Sequence, residues 1–217
     1  MLSDARGIGY DSTMLTFDHI AVSAEALGTG TADVETALGQ RLLPGGQHPH
    51  MGTHNRLLSL GPQDYFELIA IDPDAPGPDQ PRWFNLDNFS GTTRTTNWIC
   101  SCPDIEAAMA AAPAGIGVPW DLERADLRWR MSVPRDGKLP FDGLFPALIE
   151  WKGTAHPAPR LADSGVRLKE LRLHSPQADA LRAALTPLIR DPRITILNSK
   201  APRIEAVLET PKGDVIL

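Results

Sequence analysis

Two ionisable side chains stand out in this sequence because each lies within an otherwise apolar segment. His19 lies in the segment FDHIAV, and Glu67 lies in the segment YFELIAI. Burying an unpaired carboxylate costs several kcal/mol, so Glu67 requires a partner. We predict that His19 and Glu67 face one cavity and together hold a divalent metal ion or a substrate. The alternatives are a hydrogen-bonded core histidine and a buried salt bridge from Glu67 to an arginine such as Arg56 or Arg130.

Three further residues are candidates for the same cavity. Glu150 lies near the end of an apolar, strand-like segment and is a candidate metal ligand, unless the strand simply ends there. His54 and Asn55 are neighbours in a second strand-like segment, and both are candidate substrate-binding residues. Because side chains alternate along a strand, only one of the two can face the cavity. The face that carries Thr53 and Asn55 is favoured, and there Asn55 could bind a substrate carbonyl or orient His19.

Two arginines indicate a possible site for an anionic substrate. Arg128 and Arg130 are two residues apart in a strand-like segment, so they share one face. Two guanidinium groups on a cavity wall would bind a carboxylate or a phosphate. The alternative is an exposed sheet face on which these arginines pair with Asp126 or Glu123.

The remaining candidates lie in loops or are aromatic. His156 lies in a proline-rich connector that could fold over the cavity and supply an acid or base, and surface exposure is the alternative. Trp98 is a candidate for the cavity wall, and burial in the core explains it equally well. His48 and His50 flank a proline, and together with His54 they suggest a metal cluster. We interpret His48 and His50 instead as solvated loop histidines.

The pattern of apolar residues predicts a repeat of one strand, one helix and several strands at a spacing of about eighty residues. In the first repeat, Thr29-Gly30-Thr31 offers turn and N-cap chemistry, the helix is predicted over residues 32–43, and Pro44-Gly45-Gly46 ends it. The predicted division of the chain is an N-terminal extension over 1–14, a first βαβββ unit over 15–72, a linker over 73–94, a second unit over 95–152, a connector over 153–166 and a shorter third βαββ unit over 167–217.

Composition excludes several classes of protein. The chain has 217 residues and a net charge of −6, without a run of lysine and arginine, which argues against nucleic acid or an anionic membrane as a partner. The apolar runs are too short to span a bilayer, and no secretory signal pattern is visible, so we expect a cytoplasmic protein. No glycine-rich phosphate loop and no Ser-His-Asp or Cys-His pattern occurs, which disfavours nucleotide chemistry and covalent catalysis.

The candidate residues lie in motifs that resemble those of a known superfamily. The motifs are FDHI (17–20), HMGTHN (50–55), YFELI (65–69), LRWR (127–130), IEW (149–151) and HP (156–157). Together with the repeated units, they resemble the vicinal-oxygen-chelate superfamily of glyoxalase I, extradiol dioxygenases and bleomycin-resistance proteins, and most closely its glyoxalase-like domain branch. The resemblance implies an α+β fold in which tandem βαβββ units form a curled mixed β-sheet cup with helices outside.

The resemblance also implies a function. Metal ligands in that superfamily come from first and last strands of the units, which gives the set His19, Glu67 and Glu150, while Trp98 takes the first-strand position of the second unit. The implied protein is a metal-dependent lyase, isomerase or dioxygenase that holds Zn, Ni, Fe or Mn and acts on a small oxygen-rich substrate, with Glu67, Glu150 and His156 as catalytic residues. A metal-free protein that sequesters a small compound is the alternative, a remnant whose carboxylates form internal salt bridges is a third possibility, and a homodimer is plausible in each case.

Overall fold

The computed structural model describes residues 13–217. The predicted N-terminal extension therefore lies outside the described residues, apart from residues 13 and 14. Two short 3₁₀ turns lie at Trp83–Asn88 and Ala158–Arg160. The helices and strands of the described residues are β1 (Thr16–Ser23), α1 (Leu27–Leu38), β2 (Leu43–His48), β3 (Thr53–Ser59), β4 (Tyr65–Ile71), β5 (Arg94–Ser101), α2 (Ile105–Ala111), β6 (Val118–Arg124), β7 (Leu127–Val133), β8 (Ala147–Trp151), β9 (Arg167–Ser175), α3 (Ala178–Leu185), β10 (Ile194–Asn198), β11 (Arg203–Thr210) and β12 (Gly213–Ile216).

The first eight strands form one curled mixed sheet in the order β2-β3-β4-β1-β5-β8-β7-β6. Each half of this sheet is a βαβββ unit in which the first strand runs parallel to the last, β1 beside β4 and β5 beside β8. The two units join through the antiparallel pair of β1 and β5. Because the first strand of each unit lies at the centre of the sheet, residues on β1 and β4 are brought together from distant parts of the sequence.

Helix α1 begins five residues earlier than the sequence predicted. Gly30 lies inside the helix and not in a turn, and it is fully buried. A Cβ atom at Gly30 would lie 2.4 Å from the Cβ atom of Ala24 and 3.2 Å from Leu68, so glycine is required where the helix crosses β4. The helix ends at Leu38 because Gly39 adopts a left-handed conformation (φ 64°) and its N–H binds the carbonyl of Glu35.

The segment expected to end that helix is a strand. Pro44, Gly45 and Gly46 lie within β2, at the edge of the sheet, and the pairing of β2 with β3 is irregular between Pro44 and Gln47. An edge strand and a local irregularity are the positions at which proline and glycine are tolerated in a sheet. This strand supplies the additional element that completes the first βαβββ unit.

The third unit has a different topology from the first two. Its strands form a separate sheet in the order β10-β9-β11-β12, in which β9 runs parallel to the next strand β10 and antiparallel to β11. Helix α3 connects β9 to β10, which gives one strand, one helix and three strands and not the predicted βαββ order. In the first two units the first strand instead pairs with the last one, so the third unit is not a third copy.

One hydrophobic core joins the two sheets and the helices. Its largest fully buried side chains include Ile20, Phe66, Leu68 and Trp98 on the three central strands, and α1 and α2 pack on β4 and β8. Almost every residue of β1 and β4 is buried on both faces, which explains why these strands are nearly continuous apolar runs. Within residues 13–217, no helix combines the length and apolarity needed to cross a lipid bilayer.

Candidate functional site

A β-bulge in β1 places two neighbouring polar side chains on the same side of the strand. Phe17 pairs with Cys100 and His19 pairs with Ile99, so Asp18 is an extra residue without a partner on β5. Strict alternation of side chains along a strand would place Asp18 and His19 on opposite sides. The bulge corrects this expectation, because the Asp18 carboxylate lies against the His19 ring, with Nδ1 of His19 at 2.7 Å from Oδ1.

Asp18 is a buried acceptor for three donors. Besides His19 Nδ1, its carboxylate accepts hydrogen bonds from Trp151 Nε1 at 2.9 Å and from His156 Nε2 at 3.2 Å. Burial alone would raise the pKa of Asp18, but the hydrogen bonds from His156 and His19 outweigh burial and hold this pKa well below its usual range. An ionised carboxylate can only accept hydrogen bonds, so the proton of His19 must lie on Nδ1. The other ring nitrogen, Nε2, is left to face the cavity.

His19 Nε2 faces the carboxylate of Glu67. Oε2 of Glu67 lies 3.7 Å from Nε2, and both side chains are buried. The ring of Tyr65 stacks on the imidazole with a centroid separation of 4.2 Å, and its hydroxyl lies 3.4 Å from Nε2. Burial, and then the negative charges of Asp18 and Glu67, raise the pKa of Tyr65 well above its usual value, so its hydroxyl keeps its proton. Because Nδ1 carries the proton of a neutral imidazole, Nε2 carries a lone pair, which can accept a hydrogen bond from Tyr65 and lies near Oε2 of Glu67.

Asn55 fixes the orientation of the Glu67 carboxylate. The Asn55 amide nitrogen donates to Oε1 of Glu67 at 2.5 Å, which leaves Oε2 directed toward His19. The amide oxygen of Asn55 accepts hydrogen bonds from the backbone N–H of Gly46 at 2.7 Å and from Arg124 Nη1 at 3.3 Å. Exchanging the oxygen and nitrogen of this amide would lose both hydrogen bonds. A Cβ atom at Gly45 would lie 2.0 Å from that oxygen. The Gly-Gly pair in β2 is therefore what allows Asn55 to reach Glu67.

These groups line a small, partly open cavity. Its volume is about 30 Å³, which is room for about two water molecules at 10–15 Å³ each. The side chains that complete the wall are mainly aromatic or apolar, and they come from the 3₁₀ turn, β3, β7, β8 and the connector: Trp83, Phe84, Leu57, Trp129, Met131, Ile149, Trp151 and Pro157. The ionisable groups are therefore held in an apolar surrounding from which bulk water is largely excluded.

His48 is a wall residue that the sequence analysis missed. It is buried at the end of β2, where Nδ1 lies 3.0 Å from the hydroxyl of Thr53 and Nε2 lies 3.4 Å from Arg124. Burial lowers the pKa of His48 to about 4, against an opposing effect of Glu67, so it is neutral at pH 7. The interpretation of His48 as a solvated loop residue was wrong because β2 continues through Gly46 to His48.

Glu150 does not join His19 and Glu67. It lies on the face of β8 opposite to Ile149 and Trp151, which line the cavity. Its carboxylate accepts from Lys152 Nζ at 2.5 Å and lies 3.6 Å from Arg130 Nη1. The expectation that Glu150 faces the cavity is corrected by this alternation, and the ligand set of three residues is not assembled.

The two arginines of β7 also lie outside the cavity. Trp129 and Met131 line it, so Arg128 and Arg130 are on the opposite face of the strand. Arg128 is exposed, with Nε 3.3 Å from Glu123, and Arg130 donates to Glu106. The predicted anion-binding wall is therefore an outer sheet face with surface ion pairs, which was the alternative interpretation.

His54, Trp98 and His156 have separate environments. His54 alternates with Asn55 and lies away from the cavity, with Nδ1 3.9 Å from Asp72. Trp98 is fully buried in the core, where its indole N–H donates to the carbonyl of Leu144 at 2.8 Å, and it does not contribute to the cavity wall. His156 approaches the site indirectly, through its hydrogen bond to Asp18.

The donors present fit a metal ion only in part. No cluster of three or more His, Cys, Asp or Glu side chains able to hold a metal ion occurs within residues 13–217. His19 Nε2 and Glu67 Oε2 provide two donors at 3.7 Å, close to the separation of about 3.4 Å that two ligands have around a tetrahedral ion with bonds of about 2.1 Å. Two protein ligands leave the remaining coordination positions to water or substrate oxygens.

Comparison with known proteins places the chain in a family. The glyoxalase-like domain family matches residues 17–189, while curated protein sequences give no match. A hypothetical protein from Staphylococcus aureus has a similar structure (TM-score 0.63, 13% identity, 92% of this chain and 93% of that chain), and methylmalonyl-CoA epimerase from Mycobacterium tuberculosis is more distant (TM-score 0.43, 16% identity, 71% and 94%). At 13% identity the likeness to the Staphylococcus aureus protein shows the fold alone. The family match extends over most of the sequence and agrees with the curled mixed sheet, so the chain belongs to the glyoxalase-like domain family.

Proposed function

We propose that this protein is a metal-dependent glyoxalase-like enzyme that acts on a small oxygen-rich substrate at His19 and Glu67. The observation that carries this proposal is the pair of electron-rich atoms, Nε2 of His19 and Oε2 of Glu67, which face each other at 3.7 Å in a small cavity. Two such atoms repel each other unless a proton, a hydrogen-bond donor or a cation lies between them.

The surroundings of His19 support a cation at this position. Metal-binding histidines commonly donate their second ring N–H to a carboxylate, and His19 donates Nδ1–H to Asp18. The carboxylates of Asp18 and Glu67 place negative charge on both sides of the imidazole, and Glu67 is oriented by Asn55. When bound, a divalent ion would polarise a substrate carbonyl, and the positions not filled by protein suit two neighbouring substrate oxygens.

The residues around the pair have distinct roles in this proposal. Glu67 would hold the ion through Oε2, and that oxygen could accept a proton from the substrate carbon next to the polarised carbonyl only after leaving the ion. Tyr65 keeps its phenolic proton, and its hydroxyl lies 3.4 Å from Nε2 of His19, to which it can donate while no ion is bound. His156 contacts Asp18 and not the cavity, so it acts as a positioning residue and not as the acid or base expected from the sequence.

An organic substrate would have to enter from the open side of the cavity or displace part of its wall. A volume of about 30 Å³ holds water molecules but no organic substrate. The wall includes Trp83 and Phe84 from a 3₁₀ turn and Pro157 from the connector, outside the strands of the sheet. Displacement of these segments would enlarge the cavity while β1 and β4 keep His19 and Glu67 in place.

A metal-free binding protein is the second candidate, and the wall composition favours it. Aromatic rings of Trp83, Phe84, Trp129 and Trp151 surround the cavity, and such rings bind flat apolar compounds without a metal ion. The two candidates differ in whether the affinity of the site depends on an ion held by His19 and Glu67.

Metal content and metal affinity test the proposal. We expect protein purified without chelator to contain up to one divalent ion per chain, and calorimetric titration with Zn²⁺, Ni²⁺ and Mn²⁺ to detect one site. His19→Ala and Glu67→Gln each remove one of two protein ligands, so the affinity should fall at least about 100-fold, beyond the 10–100-fold effect of outer residues. Glu150→Gln is the matched control, and it should bind the ion like the wild type.

The opposite results have a clear meaning. Absence of binding for all three ions, or equal affinity in the wild type and Glu67→Gln, would refute the metal-dependent function and favour the binding protein. A loss of affinity in Glu150→Gln comparable to that in Glu67→Gln would show that the site is assembled differently from the one described.

A further inference from the structure

A second and much larger cavity lies at the junction of the two sheets. It has a volume of about 390 Å³, more than ten times that of the cavity at His19. Its walls come from the 3₁₀ turn Trp83–Asn88, from β5, from residues 138–144 and from the start of β11. Volumes of about 300–1,000 Å³ are typical of sites for small organic ligands.

A buried amide in this cavity lacks a partner. Asn97 is 2% exposed, and its Oδ1 atom makes no hydrogen bond with any described residue. A buried acceptor without a partner is unfavourable, and a ligand or an ordered water molecule would offset that cost. In the β1–β5 pair, Asn97 lies opposite Ala21, two residues along β1 from His19.

The charges at the mouth select for an anion. Arg94, Lys138 and Arg203 line the cavity, opposed by the single carboxylate of Asp142. Arg94 is held by the carbonyls of its own loop, and Arg203 pairs with Glu205 at 2.9 Å. The ammonium group of Lys138, in contrast, makes no hydrogen bond or ion pair with the rest of the described chain, so its charge is available to a ligand.

The rest of the wall combines apolar side chains with polar ones from the 3₁₀ turn and β5, and it includes strained backbone. Phe84 lines both this cavity and the cavity at His19. The guanidinium carbon of Arg94 lies 4.4 Å from the centre of the Phe89 ring. Phe84, Asn85 and Asp142 adopt left-handed conformations with φ of 58°, 54° and 57°. Such conformations are unfavourable for residues other than glycine, and they are found most often at ligand sites.

We infer that this cavity is a second ligand site, which binds a small organic anion with a flat apolar body. The anionic group would contact Lys138, a donor group on the ligand would bind Oδ1 of Asn97, and the apolar body would lie on Phe84. The site is separate from His19 and Glu67, so it does not depend on the metal-dependent function proposed above.

Titration with 8-anilinonaphthalene-1-sulfonate, a flat aromatic anion with one N–H donor, tests this inference. We expect saturable fluorescence with one probe per full-length chain. Lys138→Glu and Asn97→Ala should each weaken binding at least tenfold, while circular dichroism confirms that both variants fold. Lys212→Glu makes the same charge change at the exposed β11–β12 turn, beside Gly39 and away from the cavity, and should leave the affinity unchanged. Glu67→Gln should also leave it unchanged.

Two results would overturn the inference. The first is probe binding that does not saturate or that is equal in the wild type, Lys138→Glu and Asn97→Ala. The second is a loss of probe binding in Glu67→Gln, which would assign the probe to the cavity at His19. Neither result bears on metal binding at His19 and Glu67, so the two proposals fail or survive separately.

Discussion

Replacing Asp18 by asparagine should destabilise the protein and move the proton of His19. The carboxylate uses Oδ1 for His19 and Oδ2 for both Trp151 and His156. The asparagine amide has one oxygen. It can keep both hydrogen bonds from Trp151 and His156 only if this oxygen takes the Oδ2 position. The NH₂ group then faces Nδ1–H of His19, and two donors meet.

The cost follows from these contacts. One charge-assisted hydrogen bond is lost, worth about 1.5–3 kcal/mol, and the two that remain become neutral and weaker. We therefore expect Asp18→Asn to lower the free energy of unfolding at pH 7 by about 3 kcal/mol. His19 can relieve the contact by moving its proton from Nδ1 to Nε2, which would remove the lone pair that faces Glu67.

The pH dependence has a definite sign. The pKa of Asp18 is lower in the folded protein than in the unfolded chain, so its contribution to stability is complete above the unfolded value of about 3.9 and is lost as the pH falls through the folded value. The difference in the free energy of unfolding between the wild type and Asp18→Asn should therefore be constant near neutral pH and should become smaller only below about pH 4.

Urea unfolding and NMR spectroscopy measure both effects. Long-range ¹H–¹⁵N spectra report which nitrogen of His19 carries the proton, and urea midpoints give the change in stability. Asp126→Asn is the matched control, because Asp126 forms an exposed pair with Arg160 and should change stability by less than about 0.5 kcal/mol. The reasoning would be refuted if Asp18→Asn changed the free energy of unfolding by less than about 0.5 kcal/mol and the proton of His19 stayed on Nδ1.

Two further predictions concern the wall of the cavity at His19. Gly45→Ala places a Cβ atom 2.0 Å from Oδ1 of Asn55, so we expect a loss of about 2 kcal/mol in urea unfolding and weaker metal binding, whereas Gly28→Ala, with no atom within 4 Å, should leave stability equal or higher by up to about 1 kcal/mol. His48 has a pKa of about 4 in the fold against 6.5 unfolded, so wild-type stability should fall by about 3 kcal/mol as the pH drops from 7 to 4, and His48→Gln should lack this part of the decrease. Equal slopes of stability against pH in the two proteins would contradict this assignment.

The sequence predicted the central strands and the meeting of His19 with Glu67 because both depend on strong signals. Strands buried on both faces are continuous apolar runs, and an ionisable group inside such a run has few possible surroundings. The repeat then places His19 on the first strand of its unit and Glu67 on the last strand. These two strands are neighbours in the sheet, so the two side chains come together.

The errors arose where packing or register outweighs local pattern. Gly30 is typical of a turn in sequence, but it is required inside α1 by the close approach of Ala24 and Leu68. Gly45 and Gly46 resembled the end of a helix, while they make room for Asn55 in an edge strand. In each case the glycine is explained by an atom distant in sequence, which a local pattern cannot reveal.

Glu150 shows the limit of assigning faces from sequence alone. Its type and its position near the end of β8 suit a ligand, but the alternation of that strand is set by its pairing with β7, where Trp129 lies opposite Trp151 and Arg130 lies opposite Glu150. The two tryptophans take the inner face together, and the two charged residues take the outer face. A shift of one residue in register would have reversed the result.

The bulge at Asp18 has a wider consequence for how such sites arise. Inserting or removing one residue in a central strand is enough to join two adjacent side chains into an acid–imidazole couple, or to separate them across the sheet. Among proteins with this architecture, chemistry could therefore be gained or lost through a length change in β1 without any replacement of the residues concerned. Aligning such chains by strand pairing, and not by residue identity alone, would reveal which of them retain the couple.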